Sequence, residues 1–212
     1  AFIVLDLSEL ETLLDRRNKI KALYKGKPEK LFEWLFSKQI QADLTNQFDG
    51  TFKDLESDSR FKKKRVCDYL IENKEIIECK RVNLTQKPIN WIRHCSDKIL
   101  AHLSLKEENI KKSAAWQFKS TNKILEIPDP INHLIINITD YSQKGLKKSD
   151  TTGVKIIGFH RSDISALMET IQRKVLGQPN IIQKLTLTWE EQVFINGFPI
   201  AICCKKESIN LI

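Results

Sequence analysis

The chain has 212 residues, of which 41% are hydrophobic and 29% are charged, and this composition excludes an intrinsically disordered protein. No apolar run approaches the roughly 20 residues of a membrane-spanning helix, and the apolar opening lacks the basic start of a signal peptide, so we expect a cytoplasmic protein with no membrane partner. The net charge of +8 favours a polyanionic partner, and the length fits one domain over residues 1–212.

The first third of the chain predicts two helices and a weak strand. Residues 8–11 form a capping box, and the apolar spacing that follows ends at Gly26, so residues 1–27 are predicted to contain an N-terminal helix. Pro28 suits the first turn of a second helix over about residues 28–43. Residues 47–55 predict a first strand.

Residues 65–82 predict a hairpin of two apolar strands around a polar turn, and this hairpin carries unusual charges. Asp68 lies at the centre of its first strand, and Glu78 and Lys80 lie at the end of its second. Ionisable groups within apolar strands are costly unless they are paired or bound to a cation. The hairpin therefore predicts a polar site.

The length of the turn decides whether the two acids meet. Alternate residues of a strand point the same way, so Glu78 and Lys80 share a face. A two-residue turn would pair Asp68 with Cys79, whereas a three-residue turn over residues 72–74 pairs Asp68 with Glu78, with Cβ atoms roughly 4.5–5.5 Å apart. Asn73 suits the longer turn because it tolerates left-handed backbone angles. The alternative is an amphipathic hairpin with a solvated charged face.

The remaining chain predicts alternating helices and strands. Helical material between about residues 96 and 120 precedes a fourth strand over residues 131–140 and a polar loop over residues 141–153. A strand over residues 154–159 and a helix over residues 162–176, begun by a serine cap, come next. Strands within residues 185–204 then turn at Asn196 and Gly197. No P-loop is present, which argues against an ATP-driven motor.

The cysteines and histidines indicate neither disulfides nor a zinc site. The five cysteines are odd in number, lack C-x-x-C spacing and include an adjacent pair, so we expect reduced thiols. His94 and Cys95 have no second ligand pair at zinc-binding spacing. Cys67 and Cys79 are predicted to be core residues on the strand faces opposite the two acids.

The Asp68 and Glu78-x-Lys80 pattern resembles the core of the PD-(D/E)xK nuclease superfamily, to which many restriction endonucleases belong. The order helix, three strands, helix and strand over residues 28–140 is similar to that family's core, although Val66 and Cys67 stand where a proline often precedes the aspartate. The resemblance implies an α/β fold with a restriction-endonuclease-like α-β-β-β-α-β core and a mixed central sheet. Residues 1–27 would add an N-terminal helix and residues 141–212 a C-terminal α+β extension.

Site residues follow from the residue types and from this resemblance. Asp68 and Glu78, with the backbone carbonyl of Cys79, are oxygen ligands suited to Mg²⁺, which Mn²⁺ can replace. Lys80 would orient a water molecule and offset charge in the transition state. Glu33 and Gln117 match two auxiliary polar positions of the family, one on the helix before the strands and one on the helix after them.

The expected function is that of a Mg²⁺-dependent endonuclease acting on double-stranded DNA, with restriction or defence as the expected setting. A basic run directly precedes Asp68 and is expected to contact phosphates, although a solvated surface is its alternative. The run consists of Lys62, Lys63, Lys64 and Arg65. An inactive nuclease-like module that binds nucleic acid or protein, and an RNA-directed nuclease of the same fold, are the alternative functions. The enzyme could act as a homodimer.

Overall fold

The structure is a computed structural model that describes residues 52–62, 64–84, 90–106, 113–139, 147–151, 154–196 and 198–212. The two predicted N-terminal helices, Glu33 and Lys63 lie outside the described residues.

Eight strands and three helices make up the described fold. The strands are β1 (Phe52–Asp54), β2 (Tyr69–Ile71), β3 (Glu75–Asn83), β4 (Ile131–Thr139), β5 (Lys147–Thr151), β6 (Val154–Gly158), β7 (Lys184–Ile195) and β8 (Phe198–Asn210). The helices are α1 (Trp91–Leu103), α2 (Ala114–Leu125) and α3 (Arg161–Val175), and a 3₁₀ turn covers Ser59–Phe61. None of these helices is long and apolar enough to span a membrane.

The strands form one mixed sheet, in the order β1-β2-β3-β4-β7-β6-β5, with β8 paired to β7. The β3–β4 and β4–β7 pairs are parallel, and the other described pairs are antiparallel. Strand β7 is long because its first part pairs with β4 and its last part with β6, while β8 follows it throughout. The predicted α/β class and mixed sheet are confirmed. The family-specific core arrangement stays a prediction.

The main core lies between the sheet and all three helices. Period-two alternation points Ile76 of β3, Leu134 of β4 and Leu187 of β7 towards the helices, and each is fully buried. The helices contribute apolar stripes at helical spacing, including Ile99, Phe118 and Leu167, which are also fully buried. Glu78 and Lys80 share the face of Ile76, so β3 directs both charged side chains towards the helices.

The opposite face of the sheet carries a smaller apolar cluster of Tyr69, Ile71, Ile77 and Ile135. Beside it, a hydrogen-bonded row crosses four neighbouring strands; we call it the His133 row. His133 Nδ1 lies 2.7 Å from Glu75 Oε1, and its Nε2 lies 2.8 Å from Thr186 Oγ1. The Thr186 hydroxyl lies 2.7 Å from that of Ser208. Glu75, His133, Thr186 and Ser208 thus connect β3, β4, β7 and β8.

Two predicted segments differ in detail. The helical material predicted over about residues 96–120 forms two helices, α1, which begins earlier at Trp91, and α2. Between them, the Ser113 hydroxyl lies 3.0 Å from the carbonyl oxygen of His102 and 2.5 Å from that of Ser104. This contact satisfies carbonyls at the end of α1 and sets the start of α2. The loop predicted over residues 141–153 contains β5, whose polar sequence forms a strand through antiparallel pairing with β6.

Smaller corrections concern element ends. Helix α3 begins at Arg161 after His160, whose carbonyl accepts the first backbone hydrogen bonds. The predicted serine cap is wrong, because the N-cap residue is His160 and its side chain makes no capping hydrogen bond. Strand β8 continues to Asn210, beyond the predicted end at residue 204, because β7 pairs with it along its full length. Asn196 has a left-handed φ of 47° at the predicted turn, and Gly197 lies outside the described residues.

Candidate functional site

The hairpin of β2 and β3 has the predicted three-residue turn. Glu72 and Asn73 have positive φ angles of 48° and 54°, and the Lys74 N–H donates to the Ile71 carbonyl at 2.9 Å. The strands pair Leu70 with Ile76 and Tyr69 with Ile77. Continued by one step, this register sets Asp68 opposite Glu78, so the odd turn brings the two acids to one level of the hairpin.

Asp68 lies one residue before β2, which corrects the prediction that it occupies a strand centre. Its backbone carbonyl accepts from the Leu55 N–H at 2.8 Å, and its carboxylate Oδ2 accepts from the Cys79 N–H at 2.6 Å. The Cys79 N–H therefore binds the Asp68 side chain, whereas in regular pairing of β2 with β3 it would bind a backbone carbonyl. For this reason β2 begins only at Tyr69. Asp68 is therefore held by the residue that follows β1 and by β3.

Glu78 is a fully buried carboxylate whose neighbour on β4, Leu134, is also fully buried. The Lys80 ammonium forms an ion pair with Glu78 Oε1. Glu78 Oε2 has no hydrogen-bond partner in the described part of the chain. This burial contradicts the alternative of a hairpin with a solvated charged face, because such a face would expose Glu78 to water.

Helix α2 supports the site with two polar side chains one turn apart. Gln117 Nε2 donates to the Val66 carbonyl at 2.6 Å, and its Oε1 accepts from Lys80 Nζ at 3.3 Å. The Thr121 hydroxyl accepts from the Cys67 N–H at 2.8 Å and donates to the Gln117 carbonyl at 2.9 Å. The sequence predicts Gln117 as a site residue but not Thr121, whose signal is the four-residue spacing of buried polar residues on an otherwise apolar face.

The surroundings of Asp68 and Glu78 disfavour the ionised form of each carboxyl group. Burial raises the pKa of Asp68 to about 6, despite the hydrogen bond from the Cys79 N–H. Burial, followed by the Asp68 charge, raises the pKa of Glu78 to about 8. Burial alone would lower the pKa of Lys80, but the Glu78 charge helps to raise it. One lysine therefore balances two carboxylates, and additional positive charge would stabilise their ionised forms.

An open groove of about 570 Å³ adjoins the site. It is lined by Glu56, Phe61, Lys62, Lys64, Arg65, Val66 and Gln117. Three of the four residues in the predicted basic run thus line this groove, and all three are exposed. Gln117 connects the groove to Lys80, whereas Asp68, Glu78 and Lys80 are not among the lining residues. Glu56 is a groove residue that is not among the predicted site residues.

Two cysteines lie near the site: Cys67 is buried and Cys79 is half-buried. Burial raises the pKa of the Cys67 and Cys79 thiols well above the ordinary value, and nearby carboxylates add to this effect. Cys79 lies on the sheet face opposite Glu78, as predicted. Cys67 instead belongs to the core on the same side as Glu78, because strand alternation does not extend to residues before β2.

The oxygen donors fit Mg²⁺ better than a metal that prefers thiolate or imidazole. No group of three or more His, Cys, Asp or Glu side chains within the described ranges is arranged to hold a metal ion. Mg²⁺ is commonly held by one or two carboxylates and keeps several waters, so Asp68 and Glu78 meet its requirement. The unpartnered Glu78 Oε2 supports this assignment. The Cys79 carbonyl stays a predicted ligand.

Comparison of the chain with protein-family models, with curated proteins and with solved structures finds no match. The predicted relationship to the PD-(D/E)xK superfamily therefore stays a prediction, and function has to be inferred from the site itself.

Proposed function

We propose that this protein is a Mg²⁺-dependent endonuclease that hydrolyses phosphodiester bonds of double-stranded DNA. The observation that carries this proposal is the fully buried Glu78, which has an unpartnered oxygen and a raised pKa next to Asp68. A buried acid of this kind is destabilising unless a cation compensates it. The free-energy cost of burying Glu78 is consistent with a functional role for this site.

Charge balance favours a divalent cation at the two acids. When ionised, Asp68 and Glu78 carry two negative charges, and Lys80 offsets one. A bound Mg²⁺ supplies positive charge that polarises a phosphate and promotes ionisation of water. The two carboxylates would hold the cation, and their affinity for it rises with pH because both must lose their protons first.

Lys80 suits the stabilisation of negative charge and not the removal of a proton. Burial acts to lower its pKa, but the interaction with Glu78 outweighs this effect and raises the pKa above that of an ordinary lysine. Gln117 Oε1 and Glu78 Oε1 hold the ammonium from two sides, which limits its movement. A fixed positive charge at this position stabilises the charge that develops on a phosphoryl group during attack by water.

The groove supports a polyanionic substrate. Lys62, Lys64 and Arg65 line it and are exposed, so their positive charges can contact successive phosphates without being removed from water by the protein. Contacts to phosphates give affinity and orientation but little sequence preference. The expected setting in restriction or defence, and a homodimeric form, stay predictions.

Cleavage assays with the purified chain test the proposal. Supercoiled plasmid, linear duplex DNA, single-stranded DNA and RNA are each incubated with Mg²⁺, Mn²⁺ or EDTA. We expect plasmid nicking or linearisation with either cation, none with EDTA, and none with Asp68→Asn. Glu72→Gln, which alters an exposed acid in the turn of the same hairpin, is the matched control and should cleave normally.

The other outcomes separate the alternative functions. Cleavage of RNA with no cleavage of DNA would assign the RNA-directed alternative. Binding of nucleic acid without cleavage under any condition would indicate the inactive module. Cleavage that survives Asp68→Asn would show that another site or a contaminant is responsible.

A further inference from the structure

The His133 row ends at a hydroxyl group that is open to solvent. His133 and Thr186 are buried and Glu75 is half-buried, whereas Ser208 on β8 is exposed. Strand β8 pairs with β7 along one side, and no described strand pairs with its other side. The row therefore connects a buried histidine with the surface at an edge of the sheet.

Glu75 determines the direction of each hydrogen bond in the row. The hydrogen bond with His133 lowers the pKa of Glu75, so its carboxylate is ionised and accepts from His133 Nδ1–H. Burial lowers the pKa of His133, so its ring is neutral at neutral pH and Nε2 carries no proton. Nε2 then accepts the one proton of the Thr186 hydroxyl, and the Thr186 oxygen accepts from Ser208 at 2.7 Å. All of these protons point from Ser208 towards Glu75.

This direction suits activation of Ser208 as a nucleophile. When the Ser208 hydroxyl gives its proton to Thr186, the proton of Thr186 can pass to His133 Nε2. Glu75 holds the ring by its other nitrogen and stabilises the imidazolium that forms. The row thus combines a general base, a carboxylate that orients it and a hydroxyl that a substrate can reach.

The strand register adds a backbone donor beside Ser208. The Leu211 N–H donates to the Gln183 carbonyl at 2.8 Å, and in an antiparallel pair such bonded positions alternate with positions that lack backbone hydrogen bonds. Thr186 lies opposite Ser208, three positions along the same register, and this pair is of the second kind. The Ser208 N–H therefore points away from β7, where it can donate to an oxygen that gains negative charge.

We propose that Ser208 is the nucleophile of a second site, which hydrolyses carboxylic esters with His133 as the general base acting through Thr186. The Ser208 oxygen bonds to the carbonyl carbon while its proton moves along the row, and the ester C–O bond breaks. The departing alkoxide takes up the proton that His133 received. Water then attacks the acyl-serine with the same base, which releases the acid and restores the Ser208 hydroxyl. This site lies on the sheet face opposite Glu78 and is independent of the proposed nuclease function.

Covalent labelling of the full chain by a fluorophosphonate in EDTA tests the nucleophile without metal or DNA. Attack by Ser208 displaces fluoride and leaves a stable phosphonyl-serine, which peptide mass spectrometry locates. We expect labelling at Ser208 and none at Ser162, an exposed serine of α3 outside the row. Thr186→Val should slow labelling about 100-fold, since general-base assistance typically contributes roughly 10²–10⁴-fold. Thr186→Ser restores the hydroxyl and should recover most of the rate.

Glu75→Gln gives a second test, because it keeps an acceptor for His133 Nδ1–H but lacks the charge that stabilises the imidazolium, and it should also slow labelling. Thermal melting checks that each variant is folded. Labelling of Ser208 no faster than that of Ser162 would overturn the proposal, as would parental labelling in both folded Thr186→Val and Glu75→Gln.

Hydrolysis of p-nitrophenyl acetate tests the ester class. We expect turnover by the parent that Ser208→Ala abolishes and Ser162→Ala leaves unchanged. Equal turnover by the parent and Ser208→Ala would overturn the assignment of an esterase site. Cation-dependent DNA cleavage by Ser208→Ala should match the parent, so failure of this site and failure of the nuclease proposal are distinguishable.

Discussion

Two buried polar groups lie on opposite faces of the same sheet, and they differ in how well their charges are satisfied. In the His133 row, each ring nitrogen of His133 has a partner, and Lys184 Nζ lies 3.8 Å from Glu75 Oε1. The hydrogen bond with His133 lowers the pKa of Glu75. At the site, burial raises the pKa of Asp68 and Glu78, and Glu78 Oε2 lacks a partner among the described residues.

The His133 row shows that this fold can provide hydrogen-bond partners for buried polar side chains. Cross-strand hydrogen bonding gives the His133 row a complete network, which favours one strand register. Asp68, just before β2, and Glu78, on β3, instead carry more negative charge when ionised than Lys80 offsets. An excess of buried negative charge is what a binding site for a cation requires, and variants of each group can test this contrast.

The largest expected effect is on catalysis at the unsatisfied site. Lys80→Ala should reduce the cleavage rate by about 10²–10³-fold, the decrease typical of a removed donor to transition-state charge. It should largely spare DNA binding, because the lysine acts in the chemical step. Single-turnover cleavage at saturating DNA measures the first effect, and a binding isotherm in EDTA measures the second. A parental rate would remove Lys80 from the site.

A second prediction concerns the stability cost of Glu78. Its folded-state pKa lies above the ordinary carboxyl value, so the folded protein loses stability as pH rises from about 4.5 through 8. Glu78→Gln cannot ionise and should escape this decrease. In EDTA, the unfolding free energy of the parent relative to Glu78→Gln should fall by about 2–4 kcal/mol between pH 5 and pH 8, at roughly 1.4 kcal/mol per pKa unit.

Urea unfolding of both proteins at both pH values provides the measurement. Added Mg²⁺ should stabilise the parent at pH 8 and have little effect on Glu78→Gln, because the variant lacks one of the two ligands. Parallel pH curves in EDTA would mean that the folded protein does not disfavour the ionised form of Glu78.

The third prediction concerns a variant that disrupts the His133 row. His133→Gln should destabilise the fold by about 1–3 kcal/mol, because removal of the ring leaves Glu75 and Thr186 without their partner. Mn²⁺ affinity of the folded variant should not change, since the row faces away from the site. Urea unfolding measures the loss of stability, and Mn²⁺ binding measures the cation affinity of the folded variant. Reduced cation affinity in a folded His133→Gln protein would show that the two groups are coupled.

The two groups also differ in what the sequence could predict. The site could be anticipated because strand alternation and a three-residue turn are local, and they bring Asp68 and Glu78 together over ten residues. The His133 row joins residues 58 and 53 positions apart in the chain, and only the parallel pairing of β3, β4 and β7 brings them together. No local pattern carries that information.

Errors at element ends have the same origin. Asp68 lies outside the predicted strand because its side chain replaces a backbone acceptor, and β5 forms within a predicted loop because it pairs with β6. Each error arises from a tertiary contact that competes with local preference.

The smallest expected effect lies outside both buried groups, at the basic run that lines the groove. Simultaneous Lys62→Ala and Lys64→Ala should reduce the salt dependence of DNA binding, by a slope change of roughly 0.9 for each duplex phosphate that the protein no longer neutralises. A control that replaces exposed lysines away from the groove, Lys123→Ala with Lys206→Ala, should change the slope less. Saturating DNA should restore most of the cleavage rate of the groove variant, unlike that of Lys80→Ala, because these lysines increase affinity without acting in the chemical step. Equal slopes for the parent and both double variants would assign the run to a solvated surface.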